Sequence, residues 1–217
     1  MPEQTDTPDD TVPEEAIYYD QRSVALRTTQ SLYFVQEHNK MSMLGLLLQD
    51  FKETQIVIVV KSKKKADVLA TFLTDKDFKA IAVHGNHRQA QQQASAKQFN
   101  LASLQVILTT DMIFKTLDLD HIKLLVSYDL PEMTQEYYNR LAKMKELGVA
   151  ITLVNQADEV LLSEIEFNMK NEITEKVLEG FHDSQKPKET EHTPKNRSKK
   201  PRHRKNKNRK DTEGKQP

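Results

Sequence analysis

Cysteine is absent from the 217 residues, which excludes disulfides, thiolate metal sites and cysteine nucleophiles outright. No apolar run approaches the roughly 18–20 residues needed to span a bilayer, so no membrane partner is expected. The chain opens on Pro, Glu, Thr and Asp, without the basic and apolar blocks of a secretory signal, and a cytoplasmic location is the expectation. Glycine is scarce. Gly45, Gly85, Gly148, Gly180 and Gly214 are the whole supply, and none sits in a phosphate-cradling pattern. The sequence holds no Gly-Lys-Thr or Gly-Lys-Ser and no Asp-Glu-Ala-Asp. Its histidines form no i, i+4 pair or metal-like cluster, so no metal is expected.

Charge is abundant and uneven. Lys and Arg number 32, Asp and Glu 32, and the net charge is zero. Residues 1–24 nevertheless carry seven acids and one base, Arg22, whereas residues 184–217 carry thirteen Lys or Arg against four acids. No large apolar residue occurs after residue 185, so no core can form there. This divides the chain into an acidic disordered segment (1–24), one folded domain (25–183) and a basic disordered tail (184–217).

Between the tails, strand and helix patterns alternate. QIVIVV at residues 55–60 is a continuous β-branched run of the kind buried on both faces of a sheet. Residues 31–36, 79–83, 104–109, 123–128 and 149–154 read as further strands. Helical spacing of apolar residues marks 41–51, 63–73, 88–99, 134–144 and 158–168. Alternation every 20 to 30 residues predicts a three-layer α/β domain with a mainly parallel sheet. In such a sheet, function sits beyond the carboxyl ends of the strands.

Those ends carry a resemblance. Residues 56–73 (IVIVVKSKKKADVLATFL) resemble motif IV of the DEAD-box RNA helicases, a strand, a Ser or Thr with Lys, then a helix. Residues 84–99 (HGNHRQAQQQASAKQF) resemble the family's His-Gly-Asp-x-x-Gln-x-x-Arg stretch, keeping His84, Gly85 and Gln89 but placing Gln92 at the Arg position. Residues 106–118 (VILTTDMIFKTLD) resemble motif V with Thr110, Asp111 and Asp118 kept; Lys115–Thr116 replaces Arg-Gly. LVSYDLP at 125–131 is close to the family's strand ending in Tyr-Asp-Leu-Pro. Residues 137–147 (YYNRLAKMKEL) occupy the place of motif VI, His-Arg-x-Gly-Arg-x-x-Arg, with Asn139, Arg140, Ala142, Lys143 and Glu146 at its fixed positions. Five segments in register over residues 31–181 make the chain similar to the second, RecA-like lobe of that family.

The resemblance implies a RecA-like (P-loop NTPase-like) fold and a set of site residues. Ser62, Gly85, Gln89, Thr109, Thr110 and Lys115 stand where the family meets RNA phosphates. Asp118, Arg140 and Lys143 stand at vestigial nucleotide positions. Asp111 and Asp118 equally suit the capping of a turn or helix, and Lys63–Lys65 suits a solvated helix start. Catalysis in the family needs a phosphate loop from the other lobe and arginine fingers worth about 10³–10⁵ in rate. Lys143 loses the planar fork of arginine, and Glu146 reverses its charge. No catalytic residue and no required cofactor are therefore expected; ATP enters only if a separate N-terminal ATPase lobe, or a full helicase, is the partner. The basic tail offers Lys199, Lys200, Arg202, Arg204, Lys205, Lys207, Arg209 and Lys210 with no aromatic for stacking, so it should bind RNA by phosphate neutralisation without sequence readout. A chain ending at Asp183 should lose most RNA affinity, and that of the full chain should fall steeply between 50 and 200 mM salt on the order of the counterion-release slope. Filter binding across a salt series checks both.

Overall fold

The computed structural model describes residues 28–144 and 147–183. Seven strands form one sheet, all of whose pairings are parallel: β1 (Thr28–Phe34), β2 (Ile56–Val59), β3 (Ala80–Val83), β4 (Val106–Thr109), β5 (Leu124–Ser127), β6 (Gly148–Val154) and β7 (Thr174–Glu175). Their order across the sheet is β3-β4-β2-β5-β6-β1-β7. The connecting helices are α1 (Lys40–Leu47), α2 (Lys63–Thr74), α3 (Gln89–Asn100), α4 (Asp111–Thr116), α5 (Thr134–Ala142) and α6 (Glu159–Met169).

The handedness of parallel crossovers fixes which face each helix covers. Right-handed crossovers that travel in opposite directions along a sheet must lie on opposite faces. The chain travels one way from β1 through β2 to β3, and α1 and α2 share one face. It reverses at β3 and travels back through β4, β5, β6 and β7, with α3 to α6 on the other face. The result is the three-layer α/β architecture that the alternation of patterns predicts.

Two apolar cores follow, one per face. Leu44, Leu47, Ala66, Leu69 and Leu73 pack on Ile56, Ile58, Leu108, Val126 and Leu153. Phe99, Phe114, Tyr137, Tyr138 and Ile165 pack on Val57, Val59, Ile107, Leu125 and Val154. Consecutive strand residues alternate between the two cores, which is why residues 56–60, IVIVV, are apolar at every position. Both rings of the Tyr137–Tyr138 pair are buried; the hydroxyls find partners in Gln30 Oε1 at 2.9 Å and Ile165 O at 2.8 Å. Burial pushes the Tyr137 phenol up to about 12.

Two elements escape the sequence reading. Helix α4 lies within the motif V stretch and has no counterpart among the helices expected from the sequence, since six residues are too few to show a period. Strand β7 pairs only at Ser31↔Thr174 and Leu32↔Glu175. Beyond it Leu178 and Phe181 pack on the α1–α2 core, and the Asp183 carboxylate accepts hydrogen bonds from Gln36 N and the Asn39 side-chain amide, just ahead of α1. The expected tails, residues 1–24 and 184–217, lie outside the described residues.

Candidate nucleic-acid interface

The carboxyl ends of the strands gather the sequence-predicted residues along one edge of the domain. Ser62 follows β2 and caps α2, its hydroxyl accepting from Lys65 N at 3.2 Å; its own O–H hydrogen is left to donate outward. Gly85 follows β3 and is exposed. A Cβ there would meet Lys63 Nζ at 3.5 Å, an ordinary contact, so packing does not demand glycine at this position. Lys63 Nζ bonds Asn86 Oδ1 at 2.8 Å, which fixes the loop to the start of α2. Gln89 opens α3 and is exposed. Thr109 is the last residue of β4 and fully buried; of the Thr109–Thr110 pair only Thr110 reaches the edge.

Gln92, at the position where the family has Arg, points its amide back at the chain. Nε2 donates to His87 O at 2.9 Å and to His84 O at 3.5 Å, pinning the loop between β3 and α3. His84 is buried. Its Nε2 meets Asp67 at 2.9 Å, its ring stacks on His87 at 4.3 Å, and its backbone N–H donates to His87 Nδ1.

The cationic positions of motifs V and VI are likewise committed to internal partners. Arg140 is 1% exposed. Its Nε and one terminal nitrogen bond both oxygens of Asp111 at 2.6 and 2.8 Å, and the other terminal nitrogen bonds Asp129 O at 2.8 Å. Lys115 pairs with Glu136 at 2.6 Å. Lys143 donates to Leu117 O at 3.1 Å. These three side chains tie α4 and its C-terminal turn to α5. Asp118 is exposed, and its carbonyl accepts from the Asn100 side chain at 3.1 Å. Asp118, Thr116 and Leu117 form one wall of a 440 Å³ cleft whose other wall is the Gln89, Gln92, Gln93 and Lys97 stripe of α3. Glu146 and Lys199 to Lys210 lie outside the described residues.

A group that the sequence reading passed over organises this edge. Asp129 is buried just beyond β5. Its carboxylate accepts from Lys61 N at 2.9 Å and from Lys65 Nζ at 2.8 Å, and lies 4.0 Å from Lys40 Nζ. Lys40, also 1% exposed, reaches Glu37 at 3.2 Å and Asp158 at 3.5 Å. Lys65 is thus an ion-paired residue rather than part of a solvated helix start, because Glu37 and Asp129 converge on its amine. The same amine lies 5.4 Å from the centre of the Tyr128 ring. Burial would raise the Glu37 carboxyl, but the hydrogen bond from Lys65 and the charges of Lys40 and Lys65 outweigh it and hold Glu37 below its ordinary value. Burial and the charges of Glu37 and Asp129 push the Tyr128 phenol up.

Comparison with known proteins matches this arrangement to one family. Residues 39–145 match the helicase conserved C-terminal domain. An ATP-dependent RNA helicase SUB2-2 from Vanderwaltozyma polyspora is 32% identical over 177 residues, covering 79% of this chain and 40% of that protein. Among solved structures, a DEAD box protein from the hyperthermophile Methanococcus jannaschii superposes with a TM-score of 0.66 at 25% identity, over 77% of this chain and 49% of that one. Dbp5 of S. cerevisiae, solved bound to RNA and ADP BeF3, has the same fold, with a TM-score of 0.62 at 24% identity over 68% of this chain and 41% of that one. The chain belongs to the DEAD-box helicase family, as a C-terminal RecA-like lobe. It spans about 40% of the length of the curated relatives it matches.

Two outcomes follow from the geometry. Arg140→Ala strands the partly buried Asp111 carboxylate and should destabilise the domain by about 3 kcal/mol, the low end for a buried pair, read as a drop in Tm of roughly 10 °C; Arg140→Lys, lacking the fork, should rescue only part. Glu37, with its folded pKa depressed, contributes stability that is full above its ordinary value of 4.5 and lost as pH falls through the lower folded value. The Tm gap between the chain and Glu37→Gln should therefore be constant from pH 7 to about 5.5 and shrink below about 4.3. Thermal melts across pH measure it.

Proposed function

We propose that this chain is a DEAD-box second lobe without catalysis of its own, which binds RNA non-specifically through its basic tail and acts as an adaptor. The observation that carries the reading is Arg140. Its guanidinium is sealed against Asp111 and the Asp129 carbonyl, so it presents no fork to a triphosphate. Lys143, in the place of a finger, donates to Leu117 O, and a lysine amine lacks the bidentate geometry that phosphate recognition favours. Glu146 puts a carboxylate at the next finger position. Lys115, the remaining cation of motif V, is neutralised by Glu136. The edge keeps hydroxyls and amides at Ser62, Gly85, Gln89 and Thr110, enough for weak phosphate contacts, while the strong electrostatic attraction belongs to Lys199, Lys200, Arg202, Arg204, Lys205, Lys207, Arg209 and Lys210.

A second reading is supported by the exposed Asp118 beside the α3 cleft. In it the chain is half of a split helicase, and a separate N-terminal ATPase lobe supplies the phosphate loop and brings ATP. Phosphate release tests the absence of catalysis, and the effect of ATP on RNA affinity separates the two readings. The pure chain with saturating RNA should give no turnover above the no-protein background, and its RNA affinity should be the same with and without ATP. Turnover from the chain alone overturns the proposal, and an ATP effect on RNA affinity selects the split enzyme.

A further inference from the structure

Helix α6 is apolar on two opposite faces. Leu162, Ile165 and Met169 are buried against the sheet. Val160 and Phe167, seven residues apart, point the other way and are 74% and 82% exposed. At 3.6 residues per turn a spacing of seven returns to the same face, about 10 Å further along the axis. A surface helix ordinarily turns charged and polar residues outward, so the core does not explain these two. Ser163 and Glu164 lie between them on the same stripe, and Phe167 stands between two shallow depressions of 670 and 570 Å³.

The surroundings are acidic. From residue 159 to 175 five carboxylates, Glu159, Glu164, Glu166, Glu172 and Glu175, face one base, Lys170. Of the five, Glu166 is partly used in an internal bond to Ile173 N, and the other four are exposed. Such a rim repels nucleic-acid phosphates and anionic lipid headgroups and attracts Lys and Arg. The chain's own basic tail has the charge but no large apolar residue to cover Phe167.

We propose that the outer face of α6 is a docking surface for an amphipathic, Lys- and Arg-bearing helix of a partner protein, with Val160 and Phe167 as its apolar anchors and Glu164 and Glu172 as the pairing rim. Two anchors two turns apart match the i, i+3/i+4, i+7 reading of a helix laid against an apolar stripe. Aromatic anchors ringed by charge are where binding energy concentrates at protein interfaces. The surface is distinct from the strand-end edge and uses no residue of the tail, so it stands or falls independently of the RNA-binding proposal.

The test uses the full-length chain and a fluorescein-labelled 18-residue synthetic helix with Leu at i, i+3, i+4 and i+7 and Lys or Arg on its flanks. Anisotropy should show saturable binding. Phe167→Ser with Val160→Ser should weaken it at least about tenfold, the loss of roughly 1.4 kcal/mol that one buried apolar anchor supplies. Glu164→Lys should weaken it several-fold and reduce its salt dependence. Thermal melts should be unchanged in these variants, since the side chains are exposed, and RNA affinity should be unchanged by the two Ser substitutions, which alter no charge. A control peptide of equal charge with Ser for Leu should bind at least about tenfold more weakly. The inference is overturned if the peptide does not bind, if the Ser control binds equally, or if the α6 variants leave its affinity unchanged. Concentration-dependent dimerisation abolished by Phe167→Ser would also overturn it, identifying a second copy as the occupant.

Discussion

A carboxylate buried at the end of the central strands holds this domain's working edge in shape. Asp129 is taken out of water, and an isolated charge there would cost several kcal/mol. The chain compensates it with a backbone amide from Lys61, the amine of Lys65 and, at longer range, the amine of Lys40. Each partner belongs to a different element. Lys61 lies in the turn after β2, Lys65 in α2, and Lys40 begins α1, while the Asp129 carbonyl receives Arg140 from α5. One residue therefore ties the helices of both faces together at the end of the sheet, where parallel strands have no hydrogen bonds of their own to offer.

From Asp129 the polar chain continues through Arg140 to Asp111 at the start of α4, and through Lys40 to Glu37 and Asp158 at the starts of α1 and α6. Carboxylates at helix N-termini are favoured by the helix dipole, so acids and cations alternate along the edge. Side chains at these motif positions are held by other parts of the protein. Arginine and lysine side chains at motif positions find protein acceptors within 3.1 Å, and the residues that replace family arginines, Gln92 and Lys143, bond backbone carbonyls. A surface that holds phosphate must keep its cations under-compensated until the ligand arrives. Here the compensation is already in place.

The framework was legible because hydrophobic period carries it. The continuous run at QIVIVV, the helical stripe of Ala66, Leu69 and Leu73, and the strand before Tyr128 each announce burial on two faces or one. What the period could not show was short or polar. Helix α4 is below two turns, and β7 has two exposed residues. The site was legible only as positions. Sequence order placed Ser62, Gly85 and Thr110 at strand ends and Arg140 on a helix, but which atoms the side chains face depends on contacts between residues 29 to 107 apart, such as Arg140 with Asp111 or Tyr137 with Gln30. Lys40 was the hardest to see, because a lysine in front of an apolar helix looks solvated until three carboxylates from separate segments converge on it.

The pairing of β1 has a kinetic meaning. Thr28 meets Gly148, and Ser31 meets Thr174, so the strand has no sheet neighbour within more than a hundred residues of sequence. During synthesis Leu32, Tyr33 and Val35 must wait for β6 before their backbone can be satisfied and their side chains covered. Non-local parallel pairing of this kind is slow, because loop closure must precede any reward from contact. The inner strands β2, β4 and β5 can assemble earlier with α2 and α3, which leaves insertion of β1 between β6 and β7 as the step that closes the domain.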